Sequence, residues 1–195
     1  MKAFLSHLAS KWYLYLLWAA FAVLLWGWIF GLVTRPSEKQ KLTLFVGANS
    51  CEQAVFSDLL DKNKPDYILR SKLDFYREDD FNFSMFLTVK SPETDLFVLS
   101  YETLEEIGTD RFLSFGADEG RKLFGDGAQF LVKNGAAVGI KVYDKTEKKG
   151  CAAEYIGYGG RDYYILFNKN SPHTGGLGGA ETDAAIRVAG WFLKL

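Results

Sequence analysis

Four pairs of polar and aromatic residues in this chain have the chemistry that a polyol-binding surface needs. Each pair follows a predicted strand and combines groups such as amides, hydroxyls, a guanidinium, a carboxylate and tyrosine rings. Planar rings can stack on the faces of a sugar, while the polar groups hydrogen-bond to its hydroxyls. The eight residues are Asn49, Ser50, Tyr76, Arg77, Ser100, Tyr101, Tyr143 and Asp144.

The elements that would position these residues are short apolar strands that alternate with helices. Strands are predicted over 42–46, 67–75, 95–99, 136–143 and 163–167. Such alternation is typical of an α/β fold with a largely parallel open sheet and helices on both faces. In such sheets the ligand crevice lies at the carboxyl ends of the strands, where the four pairs fall. The alternative is that these residues are polar because strand ends border water.

Local signals predict where some helices begin. Ser50 and Gln53 form a capping-box pattern, which predicts a helix directly after the first strand. A last helix is expected after Thr182 or Asp183, with its apolar residues on one face. The segment 111–134 carries aromatic residues among glycines and shows no regular period.

Other residue types that carry chemistry are scarce or poorly spaced. The two histidines are His7 and His173, and no CxxC, HExxH or paired-histidine spacing exists, so neither a metal site nor a cofactor is predicted. Nothing in the spacing brings His173 to a cysteine thiol as a nucleophile and base. The glycine-rich run at 175–179 lacks the residues of a phosphate-binding loop and is expected to be a flexible loop. No catalytic residues are assigned, and an enzyme is not expected.

The two cysteines, Cys51 and Cys151, leave two interpretations open. An even count fits an exported domain. A bridge would close a loop of about 100 residues, which the loop-entropy model values at up to about 4.7 kcal/mol. The other interpretation is two unrelated small residues in the core.

Residues 12–34 contain no charged side chain. As a helix they reach roughly 34 Å, enough to cross a hydrocarbon core of about 30 Å. A cleaved signal peptide would be shorter and would end in small residues, whereas this run ends among Trp, Ile and Phe. We therefore expect a single transmembrane helix at 12–34, after a cytoplasmic tail (1–11) and before a linker (35–41). The basic residues on its two sides are nearly balanced, and the short tail favours a domain outside the cell.

The charge of the chain argues against nucleic acid as a partner. It has 23 basic and 24 acidic residues, a formal net charge of −1. No basic face is implied, so neither nucleic acid nor a strongly anionic lipid surface is expected to bind. About 160 residues follow the apolar run, which is the size of one ordinary domain.

Four stretches of that domain carry a resemblance to a known family. They are the strand at 42–46 with its following turn, the strand at 95–99, and the pair AVGIKVYD (137–144) and YYILFNKN (163–170). With these stretches, residues 42–195 resemble the first lobe of an extracellular solute-binding protein of the sugar-importer type. In that family a Gly-Ile strand and a tyrosine-rich strand ending in Asn-Lys mark the end of the first lobe.

The resemblance implies a membrane-anchored, non-enzymatic binding or accessory component of an ABC-type importer, with a carbohydrate as the expected solute. The implied partners are permease subunits or a full solute-binding protein, together with a weakly bound sugar. A full binding protein has two lobes that close over the ligand, whereas one lobe presents only a surface. The alternative is a structural or sensory module, anchored in the membrane, that binds another protein and no small molecule.

Overall fold

The structure is a computed structural model that describes residues 11–175 and 183–195. The chain divides into two compact units, one ending at Pro36 and one running from Ser37 to Leu195. The first unit contains helix α1 (Trp12–Val33), whose 22 residues are long and apolar enough to cross a membrane. The helix ends at Thr34, whose hydroxyl donates a 2.7 Å hydrogen bond to the carbonyl oxygen of Phe30. The predicted apolar helix is therefore present.

The second unit alternates strands with helices. After a 3₁₀ turn at Glu38–Gln40, its elements are β1 (Lys41–Ala48), β2 (Ser50–Cys51), α2 (Gln53–Asn63), β3 (Arg70–Arg77), α3 (Phe83–Lys90), β4 (Leu96–Ser100), α4 (Tyr101–Ile107), α5 (Ala117–Phe124), β5 (Phe130–Lys133), β6 (Ala136–Asp144), β7 (Lys149–Gly150), β8 (Ile156–Gly157), β9 (Tyr163–Phe167) and α6 (Ala184–Phe192). A second 3₁₀ turn at Ser91–Glu93 joins α3 to β4.

The main sheet has the strand order β3-β1-β4-β9-β6-β5, and β7 pairs with the end of β6. Strand β1 pairs in parallel with β3 and β4, while β9 is antiparallel to both β4 and β6. Strand β6 consequently runs in the same direction as β1, β3 and β4. The predicted α/β fold is confirmed. The sheet is mixed, however. Strand β9 lies between β4 and β6 and runs opposite to both, and β5 forms an antiparallel hairpin with β6.

Helices cover both faces of this sheet, as the alternation of elements predicts. Residues 42–48 of β1 are buried without interruption, as expected for a central strand with parallel neighbours. Leu44 points into an apolar cluster that includes Phe56 of α2 and Phe192 of α6. Phe45 points the other way, into a second cluster with Phe83 of α3.

The helix predicted after Ser50 begins later than its capping pattern indicates. Ser50 lies in β2, which pairs antiparallel with β8 through Ser50↔Gly157. Because this pairing and a bond from the Asn49 N–H to the Gly157 carbonyl hold the chain extended, α2 begins at Gln53 instead. The Ser50 cap was therefore a wrong prediction, since a tertiary strand pairing outweighs the local capping signal.

The start of the second predicted strand and the cap of the last helix also differ from expectation. Strand β3 begins at Arg70 rather than Tyr67. The Tyr67 hydroxyl donates to the carboxylate of Asp183 at 2.9 Å. Asp183 does precede α6, but its side chain makes no capping bond, because it binds Tyr67 and Arg187 (2.9 Å) instead. Thr182 lies outside the described residues.

The segment 111–134, which shows no period in the sequence, contains α5 and β5. A two-residue turn at Asn134 and Gly135 joins β5 to β6, and both residues have positive φ angles of 52° and 82°. Asn-Gly is the preferred sequence for this type of hairpin turn. That dipeptide was the signal that could have predicted β5.

Candidate functional site

The order of the strands reverses inside the sheet, and this topology predicts a binding crevice at the carboxyl edge. The chain leaves β1 on one side to form β3 and then crosses to the other side to form β4. Such a reversal opens a crevice outside the carboxyl ends of the central strands. Asn49 follows β1 and Tyr101 follows β4, so both residues border it. Asn49 is exposed, and Tyr101 is 37% exposed.

A buried carboxylate, Glu78, lies at this edge directly after β3. Its side chain is 1% exposed. One carboxylate oxygen accepts hydrogen bonds from the Ser100 N–H (2.9 Å) and the Thr103 hydroxyl (3.2 Å). The other accepts from the Tyr163 hydroxyl (3.1 Å) and the Arg161 guanidinium (3.4 Å). We call Glu78, Ser100, Thr103, Arg161 and Tyr163 the carboxyl-edge cluster.

The cluster satisfies a charge that would otherwise be costly to bury. A buried carboxylate needs charge pairing and hydrogen bonds to offset the loss of water. Tyr163 is fully buried, and burial, followed by the charge of Glu78, raises the pKa of its hydroxyl well above the usual value, so it remains a donor. The Arg161 side chain is 43% exposed, so part of its guanidinium faces solvent. The buried acid thus holds a cationic donor at the carboxyl edge of the sheet.

The loop between β8 and β9 lies against the same edge. Gly159 has a φ of 59°, and a Cβ atom there would lie 2.5 Å from the side-chain nitrogen of Asn49. The backbone N–H of Tyr101 donates to the carbonyl oxygen of Asp162 at 2.8 Å. Glycine is therefore required at position 159 both for the backbone conformation and for the close approach to Asn49. The loop that carries Arg161 thus contacts the side chain of Asn49 and the backbone of Tyr101.

The structure places the predicted strand-end residues at one edge, and it gives several of them structural roles. The Ser100 hydroxyl accepts from the Thr103 N–H at 3.2 Å and caps α4. Arg77 pairs with Asp79 at 2.6 Å. Ser50 faces Gly157, where a Cβ atom would lie 2.3 Å from the serine oxygen. These side chains are engaged by neighbours in the protein itself.

Two of the predicted tyrosines pack into the core clusters. Tyr76 stacks on Phe86 and Phe45, with ring centroids 4.5 and 5.3 Å apart. Tyr143 stacks on Tyr158 at 4.6 Å. Each of these rings already stacks on an aromatic neighbour. The Tyr101 ring has a tilted contact with Tyr164, with centroids 6.3 Å apart, and the Lys133 ammonium group lies 5.6 Å from its centroid.

Asp144 organises the turn after β6. Its carboxylate accepts a hydrogen bond from the Lys141 ammonium group and from the backbone N–H groups of Thr146 (2.7 Å) and Glu147 (3.1 Å). These bonds, that of Lys141 first, lower the pKa of Asp144 to about 2. Tyr143 and Asp144 also line a cleft of about 290 Å³. Tyr143 borders the carboxyl-edge cluster, because it pairs with Tyr163 in the sheet and their ring centroids are 6.5 Å apart. Asp144 is linked to the loop before β9 through Lys141, which also pairs with Asp162 at 3.2 Å.

The two cysteines are free thiols in the structure, and each is half-buried. The sulfur of Cys151 lies 3.5 Å from the carbonyl oxygen of Leu193. Burial raises the pKa of the Cys51 thiol to about 11 and also raises that of Cys151. The bridge considered from the sequence is not formed here, and thiols with raised pKa values are poor nucleophiles.

A second cleft, of about 540 Å³, lies at the opposite, amino edge of the sheet. Asp95 lies beside it and is largely buried. Its carboxylate accepts from the Thr43 N–H (2.8 Å) and from the Ser171 hydroxyl. A ring nitrogen of His173 is 2.6 Å from the carbonyl oxygen of Lys41. His173 thus connects the segment after β9 to the start of β1, and this ring nitrogen contacts a backbone carbonyl oxygen rather than a thiol.

Among residues 11–175 and 183–195, no group of three or more His, Cys, Asp or Glu side chains could hold a metal ion. Beyond Gly175, the glycine-rich run lies outside the described residues. Comparison of the chain with protein-family models, with curated proteins and with solved structures finds no match. At the carboxyl edge, the loop between β8 and β9 carries the Arg161 guanidinium and contacts the amide of Asn49.

Proposed function

We propose that this protein is a membrane-anchored, non-enzymatic binding or accessory component that works with an ABC-type importer. Its ligand would be a carbohydrate-class solute, bound weakly at the carboxyl edge of the sheet. Helix α1 would be the single membrane span, with the domain outside the cell. The partners would be permease subunits or a full solute-binding protein.

The observation that carries the proposal is the placement of Arg161 over a strand-order reversal. Solutes bind in α/β sheets at such reversals, outside the carboxyl ends of the strands. Arg161 is held by the buried Glu78 yet remains partly exposed, so its donors are oriented before a ligand arrives. Asn49 and the start of α4 at Tyr101 contact the same loop, so an amide and a tyrosine lie at this edge with it. Oriented donors and a planar ring are what sugar hydroxyls and sugar faces require.

Glu78 supports a binding role over an enzymatic one. Each of its carboxylate oxygens accepts hydrogen bonds from two donors. A carboxylate so fully engaged is poorly placed to take a proton from a substrate, because it would first have to give up these bonds. Its role in the proposal is to position Arg161.

Calorimetric titration of residues 37–195 with mono- and oligosaccharides tests the proposal. Small-molecule sites typically bury about 70–90% of the ligand surface, and a site that is open on one side buries less. We expect dissociation constants at the millimolar level or weaker, about −4 kcal/mol. Arg161→Ala should weaken binding, whereas Arg70→Ala, at the amino edge, should not. Heats of dilution alone with every sugar would reject a carbohydrate ligand.

One observation favours the second candidate, an anchored module that binds protein and no small molecule. Phe81, just before α3, is 99% exposed, which is unusual for an aromatic side chain. Exposed apolar patches are typical of surfaces that contact other proteins. This candidate predicts that no sugar binds and that substitution of Phe81 removes the protein interaction.

A further inference from the structure

Helix α3 is apolar on the side that faces solvent as well as on the side that packs on the sheet. Phe83 and Leu87 are 5% and 1% exposed and belong to the second core cluster. Met85 and Val89, one turn apart on the opposite side, are 54% and 65% exposed, and Phe81, in the turn before the helix, is 99% exposed. Ser84 and Thr88 are also exposed, so the solvent side carries a narrow apolar stripe with polar flanks, an arrangement typical of contact surfaces. We call Phe81, Met85 and Val89 the outer stripe.

The outer stripe ends in opposite charges. Asp80 immediately precedes Phe81, and Lys90 immediately follows Val89. Within the part of the chain that the structure describes, neither Asp80 nor Lys90 forms an ion pair. A stripe with an acid at one end and a base at the other is complementary to itself when it is turned end to end.

We infer that the outer stripe is the contact surface for a second copy of this chain. In a two-fold dimer the same surface is used by both copies. Antiparallel packing of two α3 helices places Met85 against Met85 of the other copy and Phe81 against Val89. The same operation brings Asp80 to Lys90 at both ends, so one apolar contact gains two ion pairs.

The charges favour a second copy over a lipid surface. Insertion of Phe81 among anionic headgroups would bring the unpaired Asp80 to a negative surface, which is unfavourable. In the antiparallel dimer, the same carboxylate faces an ammonium group. The helix dipoles also oppose each other in this arrangement, which places each positive helix end beside a negative one.

The contact is short and needs the membrane to be effective. Its helical part, from Met85 to Val89, extends roughly 6 Å, and Phe81 adds one side chain from the turn before the helix. A stripe this short buries less surface than the roughly 800 Å² per partner of a standard interface. Two copies held in one membrane plane have a raised effective concentration, which lets a weak contact form. This step uses the membrane anchor of the proposed function, and the dimer itself requires neither a sugar nor an importer.

Cysteine cross-linking of the full chain in liposomes tests the dimer. Met85→Cys is introduced into a chain that carries Cys51→Ala and Cys151→Ala and is oxidised with copper–phenanthroline. We expect a covalent dimer, because position 85 meets itself on the two-fold axis. Val55→Cys, on α2 and 47% exposed, is the matched control and should remain monomeric. Equal cross-linking of the two variants, or none at position 85, would overturn the inference.

The second test reverses single charges in the chain that keeps its native cysteines. Association is measured by energy transfer between labelled copies in the same liposomes. Asp80→Lys or Lys90→Asp alone should lower the association constant by about three- to tenfold, since each replaces two attractive pairs by repulsive ones. The double variant should restore it to near the native value. A double variant that associates no better than the single ones would contradict the antiparallel contact, as would a dimer that persists unchanged in all three.

Discussion

Glu78 and Arg161 are 83 positions apart in sequence, and their side chains meet at 3.4 Å across the carboxyl edge of the sheet. The backbone N–H of Glu78 donates to Ala48 at the end of β1 (3.3 Å), while its carboxylate reaches Ser100 at the end of β4 and Tyr163 at the start of β9. One residue therefore ties together four neighbouring strands. The packing of these strand ends, and the position of Arg161 beside them, depend on that carboxylate.

Glu78→Ala should therefore destabilise the domain. It leaves the Tyr163 hydroxyl and the Ser100 N–H buried without an acceptor, and each such loss costs about 1–3 kcal/mol. We expect a loss of about 3 kcal/mol or more in the free energy of unfolding, measured by urea denaturation of residues 37–195. The neighbouring acid provides the control. Asp79→Ala removes an exposed ion pair and should leave the urea midpoint of unfolding nearly unchanged. Equal effects of the two variants would show that the carboxyl-edge cluster does not stabilise the domain.

The contact between Gly159 and Asn49 can be separated from backbone strain. Gly159 and Gly160 both have positive φ angles, of 59° and 72°, but a Cβ at 160 would meet nothing within 4 Å. Gly160→Ala should cost about 1–2 kcal/mol of unfolding free energy from strain alone. Gly159→Ala should cost more, because its Cβ also displaces Asn49.

Asn49→Gly should then recover the difference between the two alanine variants, because it removes the side chain that the new Cβ meets. The measurement is the unfolding free energy of the single and double variants. If Gly159→Ala costs no more than Gly160→Ala, the loop does not rest on Asn49 as described.

These elements also show what the sequence could and could not predict. The alternation of strands and helices, and the gathering of Asn49, Ser100 and Tyr143 at one edge, follow from apolar periodicity and from β1, β4 and β6 sharing a direction. Glu78 could not be predicted, because an acid in a charged run such as Arg77–Asp80 is ordinarily solvated, and its partners come from sequence-distant strands. The same long-range pairing, of β2 with β8, overrode the Ser50 cap.

Stability should fall at alkaline pH because of Cys51. Burial, followed by the charge of Glu52, raises the pKa of this thiol from 9.0 to about 11. A group whose folded pKa is raised contributes stability below its unfolded pKa and loses it as pH rises. The free energy of unfolding should thus decline between about pH 9 and 11. Cys51→Ala should flatten this part of the profile, and an unchanged slope in that variant would assign the decline to other groups.

The proposed topology can be tested with protease on intact cells. Helix α1 is the span in this account, so protease added outside should degrade the domain after Arg35 and spare the tail before Lys11. Inverted vesicles provide the control, since there the domain should be protected. The opposite pattern would place the domain in the cytoplasm and remove the basis for an importer partner.

The central claim is that a solute binds at the carboxyl edge of the sheet, and amide chemical-shift mapping of residues 37–195 during a sugar titration tests it most directly. We predict saturable shifts at millimolar sugar, concentrated at Asn49, Tyr101 and Arg161 and lost in Arg161→Ala. Residues of the amino-edge cleft, such as Arg70 and Lys72, should not shift. Saturable shifts at the amino edge instead, or none at the carboxyl edge with any sugar, would contradict the account.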